Sequence, residues 1–358
     1  MAAPADPLVT GDRWTRLLVL AAAFAIVVRA VHEAQSALVF LLVAAFFAML
    51  ATPPVLWLER RGLPSAVAAL LVVAGMVVIL LVLGGSVGAS LNGFYEQAPA
   101  YQARLDLQLG KVRSLFSSFG VRGVDKVVLG YLDPAAVLRL TGSLLASLGS
   151  ALSDLVIVVL TITFILLEAS SFPVKLRAVL GDPRQVFPGV TRFVAELERY
   201  VVIKTLVSLA TGALVGGWLA LLGVDFPIVW GFLAFLLNYV PNVGSTLAAI
   251  PAVLLAFVQL GALRAAAAAA GFMTINFVLD NVVESKLMGR RLRLSTLVVF
   301  LSLMLWGSLL GPVGMVLCIP LTMALRFACE SDPATRWIAV LLGPEVPEPP
   351  PSPAAPGA

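Results

Sequence analysis

The chain has 358 residues, of which 12% are charged, and its mean hydropathy is +1.00. So apolar a chain leaves no soluble catalytic domain in view, and a net charge of only +4, with Lys and Arg near the ends of apolar runs, argues against a nucleic-acid surface. A single His, His32, and two Cys, Cys318 and Cys329, both inside the last apolar run, leave little scope for histidine metal sites, histidine catalysis or a disulfide framework.

In chain order, six apolar runs approach or exceed the roughly 20 residues that a bilayer-spanning helix needs: 17–31, 34–58, 65–91, 148–167, 201–222 and 265–283. Arg13 and Arg16 give the first run a signal-like start. Arg29 and a second apolar run follow at once without a small-x-small cleavage site, so a retained span after a cytoplasmic segment 1–16 is expected. Residues 17–91 then hold the first three transmembrane helices. Within 92–147, Leu105, Leu109, Val112, Phe116 and Phe119 recur at three- and four-residue steps, which predicts an extracytoplasmic amphipathic helical segment. Packing on the protein or membrane surface is one use of such a stripe; a subunit contact or a lid is another. Residues 168–199 mix Lys175, Arg177, Arg184 and Arg192 with Glu196 and Glu198, as a solvated loop leading into the fifth span would. Residues 148–330 form the expected transport region, and the Pro-rich end predicts a disordered cytoplasmic tail over 331–358.

Backbone amides in hydrocarbon must be paired within their own segment, and alternating strand patterns are absent, so the fold class is all-α and polytopic. Two uncharged regions do not fit a single span. Residues 226–263 are divided at Asn238–Gly244, and the first arm, 227–237, would be about 16 Å of helix. Residues 294–325 are divided at Trp306–Gly314. Both share punctuation: "PNVG" followed by "AIP" at Pro251, and "GPVG" followed by "CIP" at Pro320. Charge parity agrees with a return in each region. With Arg60 and Arg61 in the cytoplasm, Lys286, Arg290, Arg291 and Arg293, and later Arg326 and Arg336, stay inside only if both regions turn back. Parity fits two full crossings as well as a re-entrant hairpin; the eleven-residue first arm favours the hairpin, so two re-entrant hairpins, 226–263 and 294–328, are expected.

Exposed backbone polar groups cost several kcal/mol each in hydrocarbon, so broken helices at membrane depth imply a polar cavity. The residues expected to line it are Asn238, Pro241, Asn242 and Gly244 at the first break and Trp306, Gly311, Pro312 and Gly314 at the second. A proline kink that only packs helices is the alternative. Between the hairpins, Asn276, Asp280 and Glu284 are spaced four apart on one helical face, with Asn281 adjacent. An acid in a membrane helix marks a solute or proton path. Asp280 is the stronger candidate, because Glu284 could instead reach water or neutralise Lys286 and Arg290. Gly84 and Gly88, Gly212 and Gly216, and the alanines of 265–270 make smooth faces for close helix approach.

Three stretches, "TPPVLWLERRGLPSAVAALLV", "YVPNVGSTLAAIPAVL" and "DNVVESKLMGRRLRLSTLVVFLSLMLWGSLLGPVGMVLCIPL", resemble the autoinducer-2 exporter family of bacterial membrane transporters, over about 17–330. The resemblance implies a multi-pass permease or exporter of the bacterial inner membrane for a small polar solute, with autoinducer-2 the solute often assigned and sodium/proton exchange linked to other members. A Pro-Tyr-Ile-Gly-like motif of that family maps onto Pro241–Gly244, with Asn242 where an aromatic is usual. Its acidic–Asn pair maps onto Asp280 and Asn281, with Ser285 replacing a following Pro, and Lys204 stands where a Gln is common.

The expected protein is a homo-oligomeric exporter in the lipid bilayer, with protons or sodium as candidate coupling ions and no cofactor or nucleic acid. A sodium or lithium/proton antiporter and a non-transporting membrane scaffold are the alternatives. No Ser/His, His/Glu or paired-Asp constellation points to an intramembrane enzyme, and no GxxxxGK loop points to ATP.

Overall fold

The computed structural model describes residues 29–118, 134–168, 189–241, 243–288, 295–331 and 335–343, together with isolated residues elsewhere. Among these every regular element is helical: α1 Gln35–Arg60, α2 Ser65–Ser118, α3 Pro134–Glu168, α4 Val190–Leu222, α5 Pro227–Leu237, α6 Gly244–Leu260, α7 Ala262–Asn276, a π-helical segment Phe277–Glu284, α8 Ser285–Met288, α9 Thr296–Val316, α10 Cys318–Ser331 and α11 Arg336–Leu342. Five of the six predicted spans fall in α1, α2, α3, α4 and the stretch Ala262–Met288, each long and apolar enough to cross a membrane. Of the predicted span 17–31 only scattered residues are described, all helical; the rest lies outside the described residues. Leu81, Phe164 and Leu221 are 69%, 65% and 83% exposed, an outward apolar face that water would penalise and lipid accepts. The chain is a multi-pass membrane protein.

Residues 92–118, expected as the start of the amphipathic segment, are helical and are joined to the span before them. They continue α2, which is 54 residues and about 80 Å long: the polarity of the surface changes there, and the helix carries on through Pro99, which removes one hydrogen bond of the ladder without ending it. Tyr101 and Leu105 on this extension are buried. The side chains of Leu109, Val112 and Phe116, and all of Phe119, lie outside the described residues. The segment read as a disordered tail contains α11, which packs against α10 and buries Ala339; the Pro-rich 344–358 lies outside the described residues.

Small side chains set how the helices meet. Ala44, Ala48 and Ala51 of α1 share a core with Ala69 and Val73 of α2 and with Val158 and Ile162 of α3. A larger core joins Phe94 and Tyr101 of α2 and Leu145 of α3 to Leu219 of α4, Trp230 of α5, Ala252 of α6 and Ala268 of α7. The α4–α5 contact is backbone against backbone. A Cβ on Gly212 would stand 2.6 Å from the Gly231 carbonyl oxygen, and one on Gly216 would stand 3.1 Å from that of Pro227. Gly84 and Gly88 meet nothing within 4 Å.

Both interrupted regions fold back on themselves. After the 11 residues of α5, the chain turns at 238–243 and returns as α6, which packs beside α5. In α9 the ladder breaks at Gly311, whose φ of 66° and ψ of −149° only glycine adopts readily. Beyond it, Trp306 Nε1 donates to Thr322 Oγ1 at 3.1 Å, so α10 runs back along the arm before the break. The helix Leu297–Val316 would be long enough to span if straight, but the arm 296–310 is about 22 Å and α5 about 16 Å, against roughly 30 Å of hydrocarbon. The repeated punctuation has one backbone purpose. A Cβ on Gly244 would collide with the Leu237 carbonyl, and a Cβ on Gly314 with that of Trp306.

Candidate functional site

One face of α4 carries Tyr200, Lys204 and Ser208 at four-residue spacing, all buried. The first break is pinned to this face. Asn238, the C-cap of α5 and 3% exposed, donates from Nδ2 to Ser208 Oγ at 3.0 Å, and the Tyr239 hydroxyl donates to Thr205 Oγ1 at 2.7 Å. Facing it is the continuation of α7, where eight residues, Phe277–Glu284, widen into a π-helix. Such segments recur at functional sites, because the extra residue per turn shifts side chains without ending the helix. Lys204 Nζ lies 2.8 Å from Glu284 Oε2, with side chains only 7% and 18% exposed. Burying such a pair is tolerable because each charge satisfies the other.

These elements line a half-open cavity of about 380 Å³. Its wall is Lys204 from α4, Asn238, Val240 and Pro241 from the break, Ser245 from α6, Asn276, Phe277, Asp280, Asn281 and Glu284 from α7 and the π segment, and Ile319 from α10. Two of its oxygens, Asn276 Oδ1 and Asp280 Oδ1, are buried with no hydrogen-bond partner. One ammonium therefore faces two carboxylates, and it is committed to Glu284.

Six residues expected at a cavity from sequence, Asn238, Pro241, Asn276, Asp280, Asn281 and Glu284, line this single space. Gly244 sits at the break, buried against Leu237, and Asn242 lies outside the described residues. Trp306, Gly311, Pro312 and Gly314 are not in the wall; among the described residues the second region contributes only Ile319. Asn281 is exposed, and its Nδ2 donates to the Phe277 carbonyl at 3.2 Å. Glu284 pairs with Lys204, and Lys286 is exposed. The alternative of neutralising Lys286 gives way to a partner 80 residues distant.

The break itself differs from the expected unpaired backbone. The amides of Asn238, Tyr239, Val240, Val243 and Gly244 all donate to backbone carbonyls, at 2.7–3.3 Å. A compact turn satisfies these five, so among the described residues the amides of the break are not free for a ligand. Lys204, singled out in the sequence only as standing where a Gln is common, lines the cavity, and Ser208 holds Asn238 from behind the wall. The available signal was a lone Lys inside the apolar stretch "VVIKTLVSLA", where an unpaired ammonium would be costly.

Residues 17–331 match the family described as AI-2E family transporter. YhhT of Escherichia coli (strain K12), whose name proposes transport without specifying a solute, is 36% identical over 332 residues, 93% of this chain and 95% of its own length. The AI-2 transport protein TqsA of the same strain is 35% identical over 338 residues, 94% of this chain and 98% of TqsA. A protein of Haemophilus influenzae, also named for transport alone, is 34% identical over 334 residues, 92% of this chain and 96% of that protein.

Proposed function

This chain belongs to the AI-2E transporter family and is a membrane transporter, and we propose that it exports a small polar solute from the cytoplasm across the bacterial inner membrane. The observation that carries this reading is the cavity of about 380 Å³ at the first break, where one ammonium, Lys204, and two carboxylates, Asp280 and Glu284, gather with Asn276 among apolar helices. Ionisable side chains at membrane depth are costly and mark a solute or ion path. Asn276 Oδ1 and Asp280 Oδ1 are buried without a partner, and a side-chain rotation that turns them to the cavity would offer acceptors to a solute bringing hydroxyl or amine donors. Autoinducer-2, named in the transport protein TqsA, is the first solute to test.

In this reading the Lys204–Glu284 end of the cavity faces the cytoplasm, where the positive-inside bias puts Arg199 and Lys286. The two folded-back regions are re-entrant hairpins that return to the side they entered from. Asp280, whose surroundings include the charges of Lys204 and Glu284, carries or releases a proton during turnover. The protein performs no covalent chemistry, works as a homo-oligomer, and draws on an ion gradient or the solute's own gradient.

The test is uptake of a panel of labelled polar solutes, autoinducer-2 first, into inverted vesicles and proteoliposomes. Solute-dependent flux with saturation is expected, and Asp280→Asn should lose the pH dependence of that flux. A wild-type rate and pH profile in Asp280→Asn removes the proton role. Absence of flux for every solute favours a scaffold. The two carboxylates in the cavity support a second reading, sodium or lithium/proton exchange, recognised by collapse of a pH gradient when either ion is added without solute.

A further inference from the structure

We propose that the Lys204 ammonium is a tethered counter-ion filling the place that a sodium or lithium ion would take beside Glu284 and Asp280, so that this cavity operates without a free metal cation. The inference deepens the transport reading of the cavity and rests on it for its meaning, but its test reads cation binding and needs no flux. Three oxygen-bearing side chains, Asn276, Asp280 and Glu284, come from one face of α7 and its π continuation. Oxygen donors of this kind suit hard cations. In place of a metal, the wall supplies an ammonium from the opposite helix, 2.8 Å from Glu284 Oε2. The Asp280 carboxylate belongs to the wall of the same cavity.

An ammonium and an alkali cation carry the same charge, so either can neutralise Glu284, and the two should exclude one another. They differ in mobility. A metal ion can leave with the solute or return down a gradient, whereas Lys204 is held by its four-carbon stem to a buried position on α4. Lys204 thus determines whether the cavity is coupled to a metal cation. Removing its charge while Glu284 stays buried leaves a carboxylate without a counter-ion, which is strongly unfavourable and creates the demand for a cation from solution.

The experiment compares thermal unfolding and direct sodium binding for the purified full chain, in sodium chloride and in choline chloride at equal ionic strength. Wild type should unfold at the same temperature in both salts and bind no sodium. Lys204→Gln should unfold earlier in choline, be restored by sodium, and bind sodium saturably where wild type shows no saturable binding. Lys204→Arg, which keeps a cation, should show no sodium response, and adding Glu284→Gln to Lys204→Gln should abolish the response. Sodium-specific stabilisation of wild type overturns the proposal. So does a Lys204→Gln protein that behaves no better in sodium than in choline, including one that fails to fold in either. If Lys204→Gln gains sodium binding while wild type moves no solute in the flux panel, the export reading fails and the counter-ion assignment stands.

Discussion

The two breaks share their punctuation and backbone device yet differ in chemistry. At the first, Gly244 lies over the Leu237 carbonyl and the turn faces α4 and the π segment, where Lys204, Glu284 and Asp280 meet a cavity. At the second, Gly314 lies over the Trp306 carbonyl, but Trp306 closes onto Thr322, whose hydroxyl in turn donates to the Cys318 carbonyl at 2.6 Å. A break permits a polar site and does not create one. What decides is the side chains opposite: the first break looks onto Lys204, Asp280 and Glu284, whereas the second packs its apolar residues Val313 and Leu317 on Tyr200 and Val201 of the same α4 and, among the described residues, brings only Ile319 to the cavity.

The largest expected effect is at the charge that distinguishes the two. Glu284→Ala removes the carboxylate hydrogen-bonded to the buried Lys204 ammonium, leaving Asp280 as the remaining acid of the cavity, and should cost about 3 kcal/mol, the low end for breaking a buried pair, measured as loss of thermal stability in detergent. Adding Lys204→Met should recover most of that loss, since the stranded charge is then gone. If the single variant is as stable as wild type, the pair is not a buried ion pair, and the contrast between the breaks weakens.

Next come the glycines, where the breaks should behave alike. Gly244→Ala and Gly314→Ala each push a methyl group into a backbone carbonyl, and forced overpacking of this kind costs about 1–3 kcal/mol or more. Equal destabilisation supports one shared device; tolerance at either position breaks the likeness. By the same reasoning Gly212→Ala should be costly against the Gly231 carbonyl, while Gly84→Ala, with open space around it, should not.

A smaller effect separates the breaks by function. Trp306→Phe removes one donor from Thr322 Oγ1, worth about 0.5–1.5 kcal/mol, and leaves that hydroxyl its bond to Cys318. The half-saturating solute concentration should not move. Asn238→Leu deprives Ser208 of its donor and puts an apolar group in the cavity wall, so half-saturation should rise several-fold. Equal transport defects in the two variants would place both breaks on the solute path.

Much of this was legible in the sequence. Uncharged length gave five spans and both interruptions, and four-residue spacing put Asn276, Asp280 and Glu284 on the face that does line the cavity. The spacing of Gly212 and Gly216 marked a real backbone contact, but identical spacing at Gly84 and Gly88 marked none, because a motif describes one helix and not its neighbour. The Lys204–Glu284 pair was hidden for the same reason: it joins residues 80 apart whose alignment depends on how α4 and α7 dock. The π-helix arises from a single extra residue per turn, which leaves no local signature. Nor could spacing tell that the amides at the first break would be paired within a tight turn, leaving side chains to supply the free acceptors.

Those acceptors give the smallest predicted change, and its sign is informative. Asn276 Oδ1 is buried without a donor, so the folded protein carries its desolvation cost. Replacing Asn276 by Leu, close in volume and apolar, should raise the unfolding temperature slightly, by an amount on the order of 1 kcal/mol or less in stability, while weakening solute uptake. A gain in stability with a loss of transport is what a site held open for a ligand produces, because function there opposes the best packing. No position at the second break should show that combination, since Trp306 and Thr322 satisfy one another. If Asn276→Leu destabilises the protein without changing half-saturation, its oxygen has a structural partner in the working state, and the cavity's claim to be the solute site falls to Asp280 alone.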